Sequence, residues 1–257
     1  MDKFMRVNMA TGEVSVGPVP GKYAALGGRA LTSQFVLDEV EPTCDPLGPF
    51  NKLILAPGLL SGTNAPSSGR MSFGAKSPLT GGIKESNAGG IASQKIANLG
   101  YKAIVIEGKA AKGEWFILKI NPDGAELLPA GDLAGKGGYE TVATLKEKYG
   151  PKVAVIFIGP AGEMLMANAG VGINDPEGNA GRYAGRGGLG AVMGSKGLKA
   201  IVVDAPKTFD VPVVDKERFR AAAKKFADML LAHPVTGQGL PAYGTNVLMN
   251  IINEAGT

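Results

Sequence analysis

The stretch Gly100-Tyr101-Lys102-Ala103-Ile104-Val105-Ile106-Glu107 returns downstream as Gly197-Leu198-Lys199-Ala200-Ile201-Val202-Val203-Asp204. Each copy is a short aliphatic run opened by glycine and closed by an acid, the pattern of a buried strand. A glycine pair stands upstream of each copy, Gly89-Gly90 and Gly187-Gly188, one residue out of step. Further upstream, Leu53-Ile54-Leu55-Ala56-Pro57-Gly58 resembles Val155-Ile156-Phe157-Ile158-Gly159-Pro160. The order strand, strand, glycine loop, helix, strand thus occurs twice. Common strand words recur by chance as well. Duplication predicts more: an α+β fold of two half-domains, about 1–110 and 111–210, forming two similar β-sheets about a pseudo-two-fold axis. Two copies of one loop near such an axis could hold two copies of one ligand.

The remaining elements follow from the same patterns. Phe4 to Met9 and Glu13 to Val16 read as a hairpin around Ala10-Thr11-Gly12. Tyr23 to Val40 reads as a helix stopped at Glu41-Pro42. Lys52 to Ala56, Arg70 to Ala75 and Val153 to Ile158 read as strands, Gly90 to Leu99 and Gly138 to Tyr149 as helices. Trp115 to Ile120 and Glu126 to Leu128 flank the turn Asn121-Pro122-Asp123-Gly124. A second region, 211–257, opens near Pro212. Asp215 to Ala232 spaces Phe219, Ala222, Phe226, Met229 and Leu230 along one helical face. Thr245 could cap a further helix over Asn246 to Ala255, with Gly256 as its stop. Nothing later in the chain covers that apolar face, so 211–257 reads as the truncated start of an all-α domain.

Composition excludes several function classes. Of 257 residues one is cysteine and one histidine, which argues against an internal disulfide, a self-contained iron–sulfur or zinc site, and a histidine-based triad. The start is no secretory signal and no apolar run reaches the length of a membrane helix, so a cytoplasmic protein without a membrane partner is expected. A net charge of +4 is mild, and no nucleic-acid partner is expected. The distribution is more telling. Positions 46–84 hold Lys52, Arg70, Lys76 and Lys84 without one acid; positions 178–203 hold Arg182, Arg186, Lys196 and Lys199, again without one. Arg29, Arg70, Arg182 and Arg186 each adjoin a glycine. Glycine exposes backbone N–H groups and arginine offers a two-pronged fork, which together suit phosphate or carboxylate. The alternative is a solvated basic face.

Individual motifs remain ambiguous at this level. Ser86-Asn87-Ala88-Gly89-Gly90 is either an anion loop at a helix start or an ordinary N-cap with a glycine turn. Gly185, Gly187 and Gly190 have the dinucleotide-fingerprint spacing, but the residues before them, Asn174 to Gly178, read as loop rather than strand. Cys44 lacks a basic neighbour in sequence, and His233 before Pro234 reads as a helix cap. Trp115 reads as core.

Several runs resemble one family. Gly69-Arg70, Lys76-Ser77-Pro78-Leu79-Thr80-Gly81 and Asn87-Ala88-Gly89-Gly90 are similar to the N-terminal domain of the tungsten-containing aldehyde:ferredoxin oxidoreductases. So are Gly159-Pro160-Ala161-Gly162-Glu163, Ala184-Gly185-Arg186-Gly187-Gly188-Leu189-Gly190-Ala191-Val192-Met193-Gly194-Ser195-Lys196 and Leu198-Lys199-Ala200-Ile201. Arg6-Val7-Asn8, Thr11-Gly12, Gly27-Gly28-Arg29, Leu240-Pro241 and Tyr243-Gly244-Thr245 fit as well, so the resemblance covers essentially the whole chain.

The resemblance implies a cofactor base. In the family two pyranopterin dithiolenes lie on two similar sheets and together hold one tungsten, with molybdenum a close chemical substitute; a magnesium ion links their phosphates. Carried onto this chain, Arg70 contacts a pterin or its phosphate, and Asn87, with Ala88, Gly89 and Gly90, forms the first loop. Arg182, Tyr183, Ala184, Gly185, Arg186 and Gly187 form the second. The backbone carbonyls of Asn87 and Tyr183 are the implied magnesium ligands, oxygen donors of the kind magnesium takes. Tyr183 stands where a relative carries a small residue, so its ring needs room. The family's [4Fe–4S] ligands would lie beyond Thr257, as would the substrate pocket, so no residue here is catalytic and the chain alone should be inactive. The implied reaction is oxidation of a small aldehyde to a carboxylic acid, with electrons leaving through the cluster to ferredoxin or another redox subunit; a homo-oligomer is compatible. The alternatives are a same-family enzyme with another substrate, such as an aromatic-ring reductase subunit or a hydroxy-acid oxidoreductase, and a non-catalytic phosphate- or nucleotide-binding module.

Overall fold

The computed structural model describes residues 1–206 and 208–256. Met1–Thr63 with Ser67–Val211 form one compact unit. Its first half runs β1 (Lys3–Asn8), β2 (Val14–Pro18), α1 (Gly28–Glu39), β3 (Leu53–Pro57), β4 (Met71–Lys76), β5 (Ile83–Ala88), α2 (Ala92–Asn98) and β6 (Tyr101–Glu107). Its second half runs β7 (Phe116–Asn121), β8 (Gly124–Pro129), α3 (Gly138–Tyr149), β9 (Ala154–Phe157), a short α4 (Pro160–Glu163), β10 (Val171–Ile173), β11 (Arg182–Ala184), α5 (Leu189–Ser195) and β12 (Leu198–Val203).

The two sheets have one topology. The first is ordered β2-β1-β6-β3-β4-β5 and the second, read from its other edge, β8-β7-β12-β9-β10-β11. In each, among the described residues, the one parallel pair is the first long strand against the last, β1 with β6 and β7 with β12. The duplication expected from the repeated strand is therefore present strand for strand. Both parallel pairs even carry the same irregularity: register slips so that Lys102 and Lys199 are the unpaired residues. Each of these lysines is buried and donates from Nζ to a carbonyl oxygen just before the facing helix, Ala24 at 2.7 Å and Lys136 at 2.7 Å. The lysine common to the two sequence copies is thus a bulge residue that ties the sheet to the turn preceding α1 or α3.

Strand alternation sorts the core into three layers. Leu53 and Leu55 of β3 and Ala154, Ile156 and Ile158 around β9 face a shared interior between the sheets, which α2 and α5 also enter. Ile54 and Ala56 face outward to α1, and Val155 and Phe157 face outward to α3. This fixes the register of the duplication. Aligning Leu53 with Val155, as the sequence words suggest, would set an inward residue against an outward one. The pairings instead match Leu55 with Ile156, since both lie opposite the equivalent Ile104 and Ile201. A one-residue slip exchanges the faces of a strand, and burial forbids it.

Other expectations are corrected. The first helix starts at Gly28, because Gly21–Tyr23 forms a 3-10 turn and Gly27 is extended. The segment 83–88 is a strand rather than a loop, and β10 and β11 have no strand pattern in the sequence. The fingerprint-like glycines do follow a strand, the three-residue β11, but it is an antiparallel edge and not the parallel strand of a dinucleotide fold. Of these, Gly190 serves packing, since a Cβ there would lie 2.3 Å from the Gly170 carbonyl oxygen; so does the neighbouring Gly194, whose Cβ would lie 2.0 Å from that of Gly162.

The second unit comprises Asn64–Pro66 and the residues from Pro212 onward. Asp215 caps α6 (Lys216–Ala232) by accepting from the Arg218 N–H, and His233 closes it as the C-cap. A π-turn over Pro234–Gly239, α7 (Leu240–Tyr243) and a 3-10 turn over Gly244–Leu248 lead to α8 (Met249–Ala255). Thr245 therefore lies inside a 3-10 turn rather than at a cap, while Gly256 stops α8 in the left-handed region as expected. Among the described residues no helix is long and apolar enough to cross a membrane.

Half of the basic excess belongs to the fold. Lys52 bridges Glu39 and Glu107 at 2.9 and 3.0 Å. Lys76 donates to the carbonyls of Pro42 and Cys44. Lys199 pairs with Glu163, and Lys196 donates to the carbonyls of Gly48 and Asn51. They form neither a solvated face nor an anion site.

Lys196 is fully buried, and desolvation pulls its ammonium down from 10.5 to about 8. The sign is fixed by linkage. Below pH 8 both folded and unfolded chains carry the charge and folding bears the whole burial cost. Between pH 8 and 10.5 the unfolded chain holds more protons, so the wild type gains stability. Relative to Lys196→Met, that gain should total about 3 kcal/mol, since each pH step of one between the two values is worth about 1.4 kcal/mol. Denaturant titrations at pH 7.5 and 10.5 read it; a difference independent of pH would contradict the buried charge.

Candidate functional site

The two edge strands β5 and β11 lie against each other, so the two sheets meet at equivalent edges. Their residues correspond through the ladders. Ala88 pairs with Met71 and Ala184 with Val171; Asn87 pairs with Ser72 and Tyr183 with Gly172. Asn87 and Tyr183 therefore hold one position in the two copies, and so do Ala88 and Ala184. Both alanines point into the shared core, leaving only their backbone for any other purpose. The loop after each strand leads to α2 or α5. It runs over Gly89–Ile91 in the first half and Gly185–Gly188 in the second, one residue longer.

A cavity of about 750 Å³ opens at this meeting of edges, lined by Arg29, Ser33, Arg70, Lys84, Glu85, Ser86, Asn87, Tyr183, Gly185 and Arg186 among others. It gathers Arg70 with Asn87 of the first predicted loop and Tyr183, Gly185 and Arg186 of the second; Ala88, Gly89, Gly90, Ala184 and Gly187 are not in its lining. Its walls are joined across the halves: the Arg186 N–H donates to Ser86 Oγ at 3.2 Å, and Ser77 Oγ donates to the Gly187 carbonyl at 2.7 Å. Arg182 lies outside the lining, exposed at the start of β11.

The glycines of the two loops divide into two kinds. Gly90 has φ +110°, and a Cβ there would meet the Asn174 carbonyl oxygen at 2.7 Å; Gly187 has φ +75° and lies under the Lys84 side chain. The fold requires glycine at both. Gly89 and Gly185 are different. They follow Ala88 and Ala184 as equivalents, neither has positive φ, and a Cβ at either would meet nothing within 4 Å. Neither backbone conformation nor packing explains glycine at these two positions.

Tyr183 has its room. Its ring stands edge-on to Phe157 at 6.0 Å, and its hydroxyl donates to the Ala180 carbonyl at 3.1 Å. Gly138 and Gly172 clear space for Phe157, since a Cβ on either would fall within 2.5 Å of that ring. Burial pushes the Tyr183 hydroxyl up, and the nearby Tyr139 adds to the shift. The backbone of Tyr183 thus keeps the position of Asn87, while the residue, half-exposed, lines the cavity with its ring edge on Phe157.

Sequence reasoning missed Glu85 as part of the site and left Arg29 out of the site set. Glu85 lies just past the acid-free window, and its side chain is only 8% exposed. It accepts from Arg29 Nε at 3.2 Å, Ser72 Oγ at 2.8 Å and Asn87 Nδ2 at 3.2 Å. Reading 83–88 as a strand would have exposed the signal, because Glu85 and Asn87 then share one face. Arg29 carried a signal of its own beside Gly27-Gly28.

Residues 4–205 match the family model of the aldehyde ferredoxin oxidoreductase N-terminal domain. The chain belongs to the aldehyde ferredoxin oxidoreductase family. Over 257 residues it is 46% identical to a tungsten-containing aldehyde ferredoxin oxidoreductase of Pyrococcus furiosus, covering 99% of this chain and 41% of that protein. The Thermococcus kodakarensis protein of the same name is 45% identical over the same shares. A P. furiosus aliphatic sulfonate oxidoreductase, WOR-like subunit, is 33% identical over 217 residues, covering 78% of this chain and 33% of that one. Among solved structures, the active site complex BamBC of benzoyl coenzyme A reductase with 1,5-dienoyl-CoA superposes with a TM-score of 0.82 at 32% identity, covering 89% of this chain and 34% of that one. The chain thus spans about two fifths of the length of the aldehyde ferredoxin oxidoreductases it matches.

Proposed function

We propose that this chain is the cofactor base of a tungsten-containing oxidoreductase, residues 1–210 forming the base and 211–257 the start of a helical domain. The observation that carries the proposal is the register equivalence of Asn87 and Tyr183 on two adjoining edge strands, at a cavity with arginine from both halves. A pseudo-symmetric ligand pair bridged by one cation needs such an arrangement. The residues fit a bis-pyranopterin tungsten group. Arg29, Arg70, Lys84 and Arg186 bring positive charge for two phosphates, and Gly89 and Gly185 leave their backbone unobstructed. The carbonyl oxygens of Asn87 and Tyr183 would hold magnesium, a hard cation that takes oxygen donors. Arg182, Ala184 and Gly187 extend the second loop along the same group. The group supplies two-electron oxidation chemistry when bound, and this chain's residues bind and orient it.

For the whole protein we infer oxidation of a small aldehyde to a carboxylic acid in the cytoplasm, with electrons passing through a [4Fe–4S] cluster, ligated outside this chain, to ferredoxin. Support comes from the relatives named for that activity at 44–46% identity. A second reading keeps the base and changes the substrate, and the BamBC likeness and the sulfonate oxidoreductase relative favour it. Full-length protein purified without oxygen should reduce ferredoxin on addition of short aldehydes. Turnover with an aliphatic sulfonate or an aromatic thioester, and none with aldehydes, would move the assignment to the second reading.

A further inference from the structure

We propose that Glu85 is a positioning residue that aims two arginine forks at the anionic group in the cavity; this deepens the cofactor-base reading and rests on it. A carboxylate in an anion site is unexpected, because its charge opposes the ligand. The hydrogen bonds give it another task. Glu85 accepts from Arg29 through Nε at 3.2 Å. It also receives Asn87 Nδ2 at 3.2 Å, and the other end of that amide, Oδ1, accepts from Arg70 Nε at 2.7 Å. Both arginines are therefore tied at Nε, the inner edge of the guanidinium, which leaves their terminal amino groups for a phosphate. Ser72 Oγ at 2.8 Å fixes the carboxylate itself, which is nearly buried. The same relay passes through the side chain of Asn87, so it also holds the strand position whose carbonyl faces the proposed cation. The second half has no counterpart: Gly181 stands before Arg182 where Glu85 stands before Ser86. The two halves would grip their share of the ligand differently, the first through an acid-oriented arginine pair and the second through Arg186 and backbone.

Electrostatics and positioning predict opposite signs. If Glu85 acts only through its charge, Glu85→Gln removes a repulsion and anions bind more tightly. If it positions the forks, the variant binds more weakly although the site has become more positive. The test uses full-length protein from cells grown without tungsten or molybdenum, with inorganic pyrophosphate as the probe in a calorimetric titration. Glu85→Gln should weaken pyrophosphate about tenfold, as losing one well-aimed charge-assisted fork does. Glu85→Asp keeps the charge but shortens the reach, and it should weaken binding similarly at an unchanged melting temperature. That outcome separates misaimed forks from a damaged fold, and it is read even where the glutamine variant fails to fold. Unchanged or tighter binding in Glu85→Asp overturns the positioning role. Absence of pyrophosphate binding by the wild type instead overturns the anion-site reading beneath it.

Discussion

Gly188→Ala should destabilise the protein by about 3 kcal/mol or more, combining the left-handed penalty of a non-glycine residue with backbone overpacking. Gly188 is the N-cap of α5 at φ +74°, and its added Cβ would lie 2.0 Å from the carbonyl oxygen of Ala167. A backbone atom cannot swing aside as a side-chain end can. The helix it caps packs between the two sheets with Leu189, Val192 and Met193 in the shared core. The strain is thus delivered to the centre of the molecule. Denaturant unfolding of the full-length variant measures the loss; a change below about 1 kcal/mol would mean that α5 can shift and that the loop is not fixed.

Gly185→Val should do the reverse. Gly185 lines the cavity, and a Cβ added to it would meet no protein atom within 4 Å. The cofactor-free protein should keep its stability to within about 0.5 kcal/mol, as surface substitutions without a packing role do. Bound tungsten and pterin should fall about tenfold or more, which at a site saturated in the wild type requires a binding loss of well over about 1.4 kcal/mol. Gly89→Val, at the equivalent position of the other half, should reproduce the pattern. Two glycines of one short loop, Gly185 and Gly188, then fail in different ways, one by losing ligand and one by unfolding. Retention of full metal content in Gly185→Val would show that the space beside this glycine is not used.

The duplication was legible in the sequence because a buried strand is a local word. Tyr101–Glu107 and Leu198–Val203 are central strands paired on both sides, so both faces are apolar and the words are copied almost residue for residue. The edges were not legible. Ile83–Ala88 reads Ile-Lys-Glu-Ser-Asn-Ala, and Arg182–Ala184 is three residues long; neither has the apolar run that marks a strand. These polar edges are where the two halves meet, so the residues of the candidate site were the hardest to place. Charge misled in a similar way. Windows without acids held eight cations, but Lys52, Lys76, Lys196 and Lys199 found carbonyls and acids distant in sequence, while the carboxylate of Glu85 entered the cavity from just outside the window. Linear charge density counts residues along the chain, and the site is assembled across it. The two residues that the resemblance singles out, Asn87 and Tyr183, hold equivalent ladder positions, a relation that periodicity along polar edge strands does not show.

If two equivalent edge strands form the seat of a phosphate-bearing metal cofactor, the metal should travel with the protein. Elemental analysis of the full-length protein, purified without oxygen from cells supplied with tungsten and molybdenum, reads this without any assumption about substrate. Stoichiometric tungsten or molybdenum is expected together with magnesium, and loss of both in Gly185→Val. A folded wild-type protein holding neither heavy metal would refute the cofactor seat and leave the cavity as an ordinary anion site.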